Sequence, residues 1–260
     1  KVTAKDTIQV SDAEGKTTEL KTRNIVIATG ARASSIPGVA IDGERVLSYH
    51  EAILQTKLPA SVVIIGAGAI GVEFATIWNG YGVDVTIVEM LPRIVPLEDE
   101  EISAELNKAF NKRGIKTMTG TRVLGIETNE QGVSVKVSGA DGEKVLQAEQ
   151  TLVAIGFKPN SVDLGLAEQG VKITDRGLIE VDDRMATNVP GIWAIGDVTG
   201  KLLLAHVASA MGIVCAENIA GVETVTLDYT MMPRATYCQP QVASFGLTEA
   251  QAKEKGYDVQ

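Results

Sequence analysis

The sequence is poor in the residues that build several common kinds of site. Its 260 residues include two cysteines, Cys215 and Cys238, and two histidines, His50 and His206. The cysteines form neither a C-x-x-C nor a C-x-x-x-x-C pair, so we predict no disulfide framework and no local redox dithiol. A reducing, cytoplasmic location is therefore the default expectation, and no metal site is predicted.

Positive charge and long apolar stretches are also scarce. The net charge is −9, the pI is about 4.9, and no basic stripe is present, which argues against a nucleic-acid partner. No apolar run approaches the ~18 residues of a membrane helix, and the N-terminal segment resembles neither a signal peptide nor a transit peptide. Apolar residues make up 45% and charged residues 22%, as in ordinary globular proteins with a sizeable core.

Residues 61–89, SVVIIGAGAIGVEFATIWNGYGVDVTIVE, carry the most informative pattern. An apolar strand stops at Gly66, and Gly68 and Gly71 complete the spacing G-x-G-x-x-G. Apolar residues at helical spacing follow, and a second apolar strand ends in Glu89. Strand, glycine turn, helix, strand and acid in this order are typical of the βαβ unit that binds a dinucleotide.

Each part of this pattern has a physical role. Gly66 allows a tight turn, Gly68 lets a pyrophosphate approach the backbone, and Gly71 lets the helix lie close to the sheet. The helix N-terminus offers unpaired N–H groups to the phosphates. A carboxylate at Glu89 would accept hydrogen bonds from a ribose diol and repel a 2′-phosphate. The pattern therefore favours NAD over NADP, although the nearby Arg93 weakens that preference.

The rest of the chain predicts an α/β fold with short antiparallel strands added to it. Alternating residues over 123–148 predict a β-meander, and apolar spacing predicts helices over 99–113 and 205–220. Thr248 and Gln251 form a capping box, so a helix should begin near Glu249. Three further apolar strands each stop at a glycine, where backbone meets ligand in open α/β sheets. They occupy residues 22–30, 150–156 and 191–197.

The order of these motifs resembles the order found in the pyridine nucleotide–disulfide oxidoreductases, which are flavoproteins that bind two dinucleotides. The resemblance extends along nearly the whole chain. Within that family the sequence is most similar to the dihydrolipoamide dehydrogenases. The closest local match is VEMLPRIVPLEDEEIS at 88–103, which follows GAGAIGVEFA, and PQVASFGLTEAQAKEKGYDV at 240–259 matches the start of the dimerisation domain. The resemblance implies two lobes with parallel sheets and β-meanders, and the beginning of a third, α+β interface domain.

The resemblance also implies an NAD site. Glu89 would bind the adenosine ribose, Val123 would lie near the adenine, and Gly156 would lie near the nicotinamide. Glu73 matches an acid close to the flavin and nicotinamide, and it is the one candidate catalytic residue; it could equally be a surface acid favoured by the helix dipole. The implied NAD ligands are Gly66, Ala67, Gly68, Ala69, Ile70, Gly71, Glu73, Glu89, Val123 and Gly156.

A second set of residues matches the FAD site of the family. Asp197 would bind the ribityl hydroxyls, although it could be only a turn acid. The helix that begins near His206 would point its N-terminus at the flavin, and the imidazole of His206 is not interpreted as a base. The implied FAD ligands are Thr29, Gly30, Ala31, Asp197, Leu203, Leu204, Ala205 and His206.

By resemblance, the chain divides into four segments of an intact homodimeric enzyme of a 2-oxoacid dehydrogenase complex. Residues 1–39 and 161–227 would be parts of the FAD domain, 40–160 the NAD domain, and 228–260 the start of the dimerisation domain. Because the chain begins without Met and within a strand pattern, we interpret it as an internal fragment. Strands missing from its FAD domain would leave apolar surface exposed, which predicts oligomerisation or local disorder there.

The implied reaction converts dihydrolipoamide and NAD⁺ to lipoamide and NADH through FAD and a redox disulfide. These residues contain neither the C-x-x-x-x-C pair nor a histidine in an H-P-x-x-x-E context. We therefore predict that the chain itself binds NAD, holds FAD weakly or not at all, and is inactive. Origin from a dihydrolipoamide dehydrogenase and behaviour as an inert NAD(H)-binding module are thus compatible hypotheses, and the alternative origin is a fragment of another disulfide reductase or NADH oxidase of the same group.

Overall fold

The computed structural model describes residues 1–259, which form two compact units. The first unit contains residues 1–32 and 157–232, and the second contains residues 33–156 and 233–259. The strands are β1 (Val2–Ala4), β2 (Thr7–Ser11), β3 (Thr17–Lys21), β4 (Ile25–Ile27), β5 (Ala31–Ala33), β6 (Val46–Leu47), β7 (Ser61–Ile65), β8 (Asp84–Val88), β9 (Lys116–Met118), β10 (Arg122–Asn129), β11 (Gly132–Gly139), β12 (Gly142–Ala148), β13 (Gln150–Val153), β14 (Phe157–Pro159), β15 (Ile192–Ala194), β16 (Arg234–Thr236) and β17 (Val242–Ser244). The helices are α1 (Tyr49–Ile53), α2 (Ala69–Gly80), α3 (Glu100–Lys112), α4 (Ala205–Ala220) and α5 (Glu249–Glu254), with short 3₁₀ helices at Gly196–Thr199 and Tyr229–Met231.

The second unit is built on a five-stranded parallel sheet with the order β6-β13-β7-β8-β9. Ile65 at the end of β7 lies level with Val153 of β13 and with Val88 of β8. All three strands therefore end at one edge of the sheet, and the loops that follow them gather there. The antiparallel meander β10-β11-β12 is added to this sheet, and the predicted α/β class is confirmed.

Alternation along the sheet strands divides the core of the second unit into two layers. Val63 and Ile65 of β7 pack with the buried valines of the meander strand β11. Val62 and Ile64 face the opposite side, where they pack with residues of α2 and α3 such as Phe110. The meander, the sheet and the helices thus form three layers, and both faces of the parallel strands are buried, as their nearly continuous apolar sequence predicts.

The C-terminal segment, residues 233–259, packs on the helical side of the second unit. Cys238 and Val242 are buried in the same core cluster as Trp78 of α2 and Phe110 of α3. Strands β16 and β17 pair antiparallel, and α5 begins with the predicted capping box of Thr248 and Gln251. The C-terminal segment therefore belongs to the compact unit that carries the glycine turn.

The first unit contains a three-stranded antiparallel sheet, β1-β2-β3, and a parallel pair, β4 and β15. Apolar residues of these strands form one core cluster, and α4 packs over a second one around Met211. Val26 in β4 is 42% exposed and Ile213 in α4 is 60% exposed, but apolar side chains such as Leu97 of the second unit are also exposed, so the predicted exposure of apolar surface by missing strands stays a prediction. Oligomerisation through that surface stays a prediction, as does the division into four segments by function.

Several boundaries agree with the sequence patterns. Helix α4 covers Ala205–Ala220 and ends at Gly221 in the left-handed conformation, and α3 begins after Asp99 and ends before Gly114, whose φ is +84°. The meander turns fall between Asn129 and Gly132 and between Gly139 and Gly142, as predicted. Of the helices in the described part of the chain, none is both long and apolar enough to span a bilayer.

The three strands predicted to stop at a glycine are shorter than expected. β4 ends at Ile27, before Gly30, and β15 ends at Ala194, before Gly196. The apolar run through Gly156 was expected to be a single strand, but β13 ends at Val153. The last bond to its neighbour runs from the Ala154 N–H to the Ile65 carbonyl at 2.8 Å. Because β7 turns away at Gly66, no strand remains for residues 155–156 to pair with, and they leave the sheet.

Candidate functional site

The glycine turn after β7 is held by two contacts that only glycine allows. Gly66 has a φ of +103°, and a Cβ on it would lie 2.4 Å from the Ala154 carbonyl oxygen. A Cβ on Gly71 would lie 1.9 Å from the Gly66 carbonyl oxygen. Both distances are well below any real carbon–oxygen contact, so any larger residue at Gly66 or Gly71 must displace backbone.

Gly68 differs from Gly66 and Gly71 because no other part of the protein fills the space beside it. It is the N-cap of α2, and a Cβ on it would meet no protein atom within 4 Å. The first helical hydrogen bond runs from the Val72 N–H to the Gly68 carbonyl at 3.1 Å. The N–H groups of Ala69, Ile70 and Gly71 thus have no helical partner, and the helix end at Gly68 and Ala69 is not buried by the protein.

The Glu89 carboxylate lies beside this turn, at the end of β8. Its Oε2 accepts the Ala67 N–H at 2.7 Å, and its Oε1 accepts the Leu91 N–H at 2.8 Å. The residue is 9% exposed. Two backbone donors therefore fix the carboxylate next to the glycine turn, while lone pairs remain on both oxygens to accept further hydrogen bonds.

The glycine turn lies at the point where the chain changes direction across the sheet. After β7 the chain crosses to β8 on one side, and later it returns to β13 on the other side. Gly66 and Gly156 follow these neighbouring strands, and Gly156 is exposed with a φ of +107°. Ligands of open α/β sheets bind at such a switch point. Val123 is half-buried on β10 and packs with the core on the meander side.

Glu73 has a partner that the sequence did not predict. It lies one turn into α2, and its Oε1 accepts the backbone N–H of Tyr237 at 2.7 Å. Tyr237 follows β16 in the C-terminal segment. No local pattern links positions that are so far apart in the chain, so only the packed fold could reveal this contact.

The first unit brings the second set of predicted residues together at the ends of β4 and β15. The Ile195 N–H bonds to the Ile27 carbonyl at 3.0 Å, so the loops after the two strands lie side by side. Thr29 is tied to Asn160 by two hydrogen bonds, one from its hydroxyl and one to its carbonyl oxygen. Gly30 has a φ of +66°, and Ala31 begins β5.

Asp197 and the start of α4 complete this second cluster. Asp197 follows Gly196 in the 3₁₀ helix after β15, and residues 1–259 supply no hydrogen-bond donor to its carboxylate. Leu203 and Leu204 lead into α4 at Ala205 and His206, and no side chain caps this helix. The N–H group of Ala205 has no helical partner, because the first helical bond runs from Ala208 to the Leu204 carbonyl at 2.9 Å.

Burial raises the pKa of Asp197 above its ordinary value of 3.8. The folded state therefore holds the carboxyl proton of Asp197 more tightly than the unfolded state does. The stability gained from this proton is complete below the ordinary pKa, and it is lost as pH rises through the pKa of the folded state. We expect Asp197→Asn to raise the melting temperature by about 1–2 °C at neutral pH. In scanning calorimetry this gain should shrink toward pH 4, whereas a constant gain would contradict the argument. Glu19→Gln, on the exposed strand β3, removes the same charge as a control.

Comparison with known proteins agrees with this geometry. The profile of a family described as pyridine nucleotide-disulphide oxidoreductase matches residues 1–212, and the profile of its dimerisation domain matches residues 232–260. A curated dihydrolipoyl dehydrogenase of Mycobacterium leprae is 53% identical over 258 residues, which are 98% of this chain and 55% of that protein. One from Corynebacterium glutamicum is 48% identical over 97% of this chain and 54% of its own length. The chain thus spans about half the length of the curated relatives that it matches.

Solved structures show the same architecture. LpdA from Mycobacterium tuberculosis matches with a TM-score of 0.89 and 28% identity, over 96% of this chain and 54% of its own. The HOCl-induced flavoprotein disulfide reductase RclA from Escherichia coli matches with a TM-score of 0.85 and 27% identity, over 99% of this chain and 58% of its own. The two compact units therefore correspond to part of a larger flavoprotein fold.

Proposed function

Because the chain belongs to the pyridine nucleotide-disulphide oxidoreductase family, we propose that its second unit binds NAD(H) for a dihydrolipoyl dehydrogenase. The observation that carries this proposal is the placement of the Glu89 carboxylate against the Ala67 N–H, beside the open surroundings of Gly68. A carboxylate and a helix N-terminus side by side suit two neighbouring parts of an ADP-ribose, the diol of the adenosine ribose and the pyrophosphate.

The residues of the second unit fit the nucleotide. The N–H groups of Ala69 and Ile70 would donate to the pyrophosphate, and the remaining lone pairs of Glu89 would accept the ribose hydroxyls. Arg93 supports NAD over NADP, because its guanidinium is turned into its own loop. Its Nη2 lies 3.4 Å from the Pro96 carbonyl oxygen, and its Nε is buried without a partner in the described part of the chain.

The first unit would contribute to an FAD site. Asp197, without a donor of its own, would accept hydroxyl groups of the ribityl chain, and the N-terminus of α4 would favour negative charge on the flavin. FAD would supply the electron transfer between the nicotinamide and a disulfide. Thr29 would bind through its backbone N–H, because its hydroxyl donates to the Asn160 carbonyl at 2.6 Å and its own carbonyl oxygen accepts the Asn160 amide.

The curated relatives are named dihydrolipoyl dehydrogenase. We propose that the whole protein catalyses the reaction that this name describes, the oxidation of a dihydrolipoyl group with NAD⁺. The match to the dimerisation domain supports a homodimer, and membership of a 2-oxoacid dehydrogenase complex and a cytoplasmic location stay predictions. Cys215 and Cys238 are the two cysteines of the sequence, both are buried, and they belong to different compact units. These 260 residues therefore do not supply the paired thiols that such a reaction oxidises and reduces.

The chain of 260 residues should bind NADH without catalysing lipoamide reduction. We expect a dissociation constant in the micromolar to millimolar range, about −8 to −4 kcal/mol, and weaker binding of NADPH. A fluorescence titration with each nucleotide measures the affinities, and an absorbance spectrum tests for bound flavin. A yellow protein that reduces lipoamide with NADH would contradict the inactive module, and a chain that binds neither nucleotide would overturn the proposed NAD site.

A further inference from the structure

The C-terminal segment, residues 233–259, makes two matched contacts with the helices of the second unit. The Tyr237 N–H donates to Glu73 Oε1 on α2 at 2.7 Å. The Glu249 N–H donates to Asp99 Oδ1, before α3, also at 2.7 Å. Both are backbone-to-carboxylate bonds of equal length, but their donors are 12 residues apart in the C-terminal segment and their acceptors belong to different helices.

Glu73 is placed to take part in two interactions at once. It lies four residues after Ala69 and three after Ile70, so these residues share one side of α2, at the helix end whose N–H groups are unpaired. Its Oε1 holds Tyr237, whereas its Oε2 accepts no hydrogen bond from residues 1–259. The free oxygen is available to a hydroxyl group of a nucleotide that extends from the glycine turn along this side of the helix.

We infer that Glu73 couples nucleotide binding to the seating of the C-terminal segment on helix α2. This inference rests on the proposed NAD site. Fixing the Glu73 side chain in one conformation has an entropy cost. When the Tyr237 N–H and the nucleotide both bind this carboxylate, the side chain is fixed only once, so the second interaction does not bear that cost again. Each interaction therefore strengthens the other, and thermodynamic linkage requires the two effects to be equal. Glu73 acts here as a positioning residue, in addition to any contact with the nicotinamide end.

Hydrogen exchange of the two segment amides tests the coupling in the 260-residue chain. Saturating NADH should slow exchange at Tyr237 by about three- to tenfold, while exchange at Glu249 stays unchanged. Glu73→Ala should speed exchange at Tyr237 about tenfold and remove its response to NADH. Glu73→Gln should restore most of the protection, because its amide oxygen accepts the same N–H.

Nucleotide affinity provides the reciprocal measurement. Val242→Ala, which loosens the segment by removing buried methyl groups from the core cluster that holds it, should weaken NADH binding by about three- to tenfold. The same substitution should have no effect in the Glu73→Ala background, as a double-mutant cycle would show. Asp99→Ala removes the bond to Glu249 and should leave NADH affinity unchanged.

The outcomes separate this inference from the proposed function. If NADH binds but exchange at Tyr237 does not respond, or if Val242→Ala weakens binding equally with and without Glu73, the coupling is overturned and the NAD site stands. If NADH does not bind the unmodified chain, the proposed function fails and the coupling fails with it.

Discussion

Replacement of Glu89 by glutamine should weaken NADH binding by about ten- to a hundredfold and destabilise the second unit. The carboxylate accepts the Ala67 and Leu91 N–H groups with separate oxygens. Glutamine has one oxygen, so its NH₂ group must face one of these donors and leaves it unsatisfied, at about 1–3 kcal/mol. The ribose diol would also lose a charged acceptor, which is worth about 1.5–3 kcal/mol. Isothermal titration and thermal unfolding measure the two effects.

Glu101→Gln is the matched control for that substitution. Glu101 lies on the first turn of α3, is exposed, and gives the same change in net charge. It should change neither NADH affinity nor the melting temperature measurably. The ratio of NADH to NADPH affinity should also fall in Glu89→Gln, because the charge that repels a 2′-phosphate is gone. Unchanged affinity and selectivity in Glu89→Gln would show that this carboxylate does not bind the ribose.

Local patterns predicted the elements that place the site. The order of Gly66, Gly68, Gly71 and Glu89 predicted the strand, turn, helix and strand in which the structure has them. The capping box at Thr248 likewise predicted the start of α5. In these places the information is local, because a turn that requires positive φ or a helix end that requires a cap constrains the residue at that position.

Long-range contacts could not be predicted in the same way. The bond between Glu73 and Tyr237 joins residues that no period or spacing relates, and the early end of β13 depends on where the neighbouring β7 turns away. The sequence placed Glu89 correctly at the tip of β8, but the Ala67 N–H as its donor required the packed turn. Such details depend on tertiary neighbours, which a single sequence does not specify.

Replacement of Gly71 by alanine should destabilise the second unit by about 3 kcal/mol or more and abolish NADH binding. The new methyl group would lie 1.9 Å from the Gly66 carbonyl oxygen and 3.4 Å from Ile64 Cγ2. The oxygen belongs to backbone that cannot rotate away, so α2 must separate from β7 or the turn must deform. Urea unfolding gives the loss of stability, and nucleotide titration at low temperature gives the affinity.

Two further alanine substitutions, Gly80→Ala and Gly68→Ala, distinguish a steric clash within the protein from the loss of space that a ligand would occupy. Gly80→Ala, at the other end of α2, meets no atom within 4 Å and should be neutral or stabilising by up to about 1 kcal/mol. Gly68→Ala also meets no protein atom, so the chain should fold, yet its methyl group would occupy the space proposed for the pyrophosphate. We expect Gly68→Ala to lose at least about tenfold in NADH affinity, because the phosphate must move away from the helix N–H groups. If Gly68→Ala binds NADH normally while Gly71→Ala unfolds, the turn is a packing feature and the nucleotide lies elsewhere.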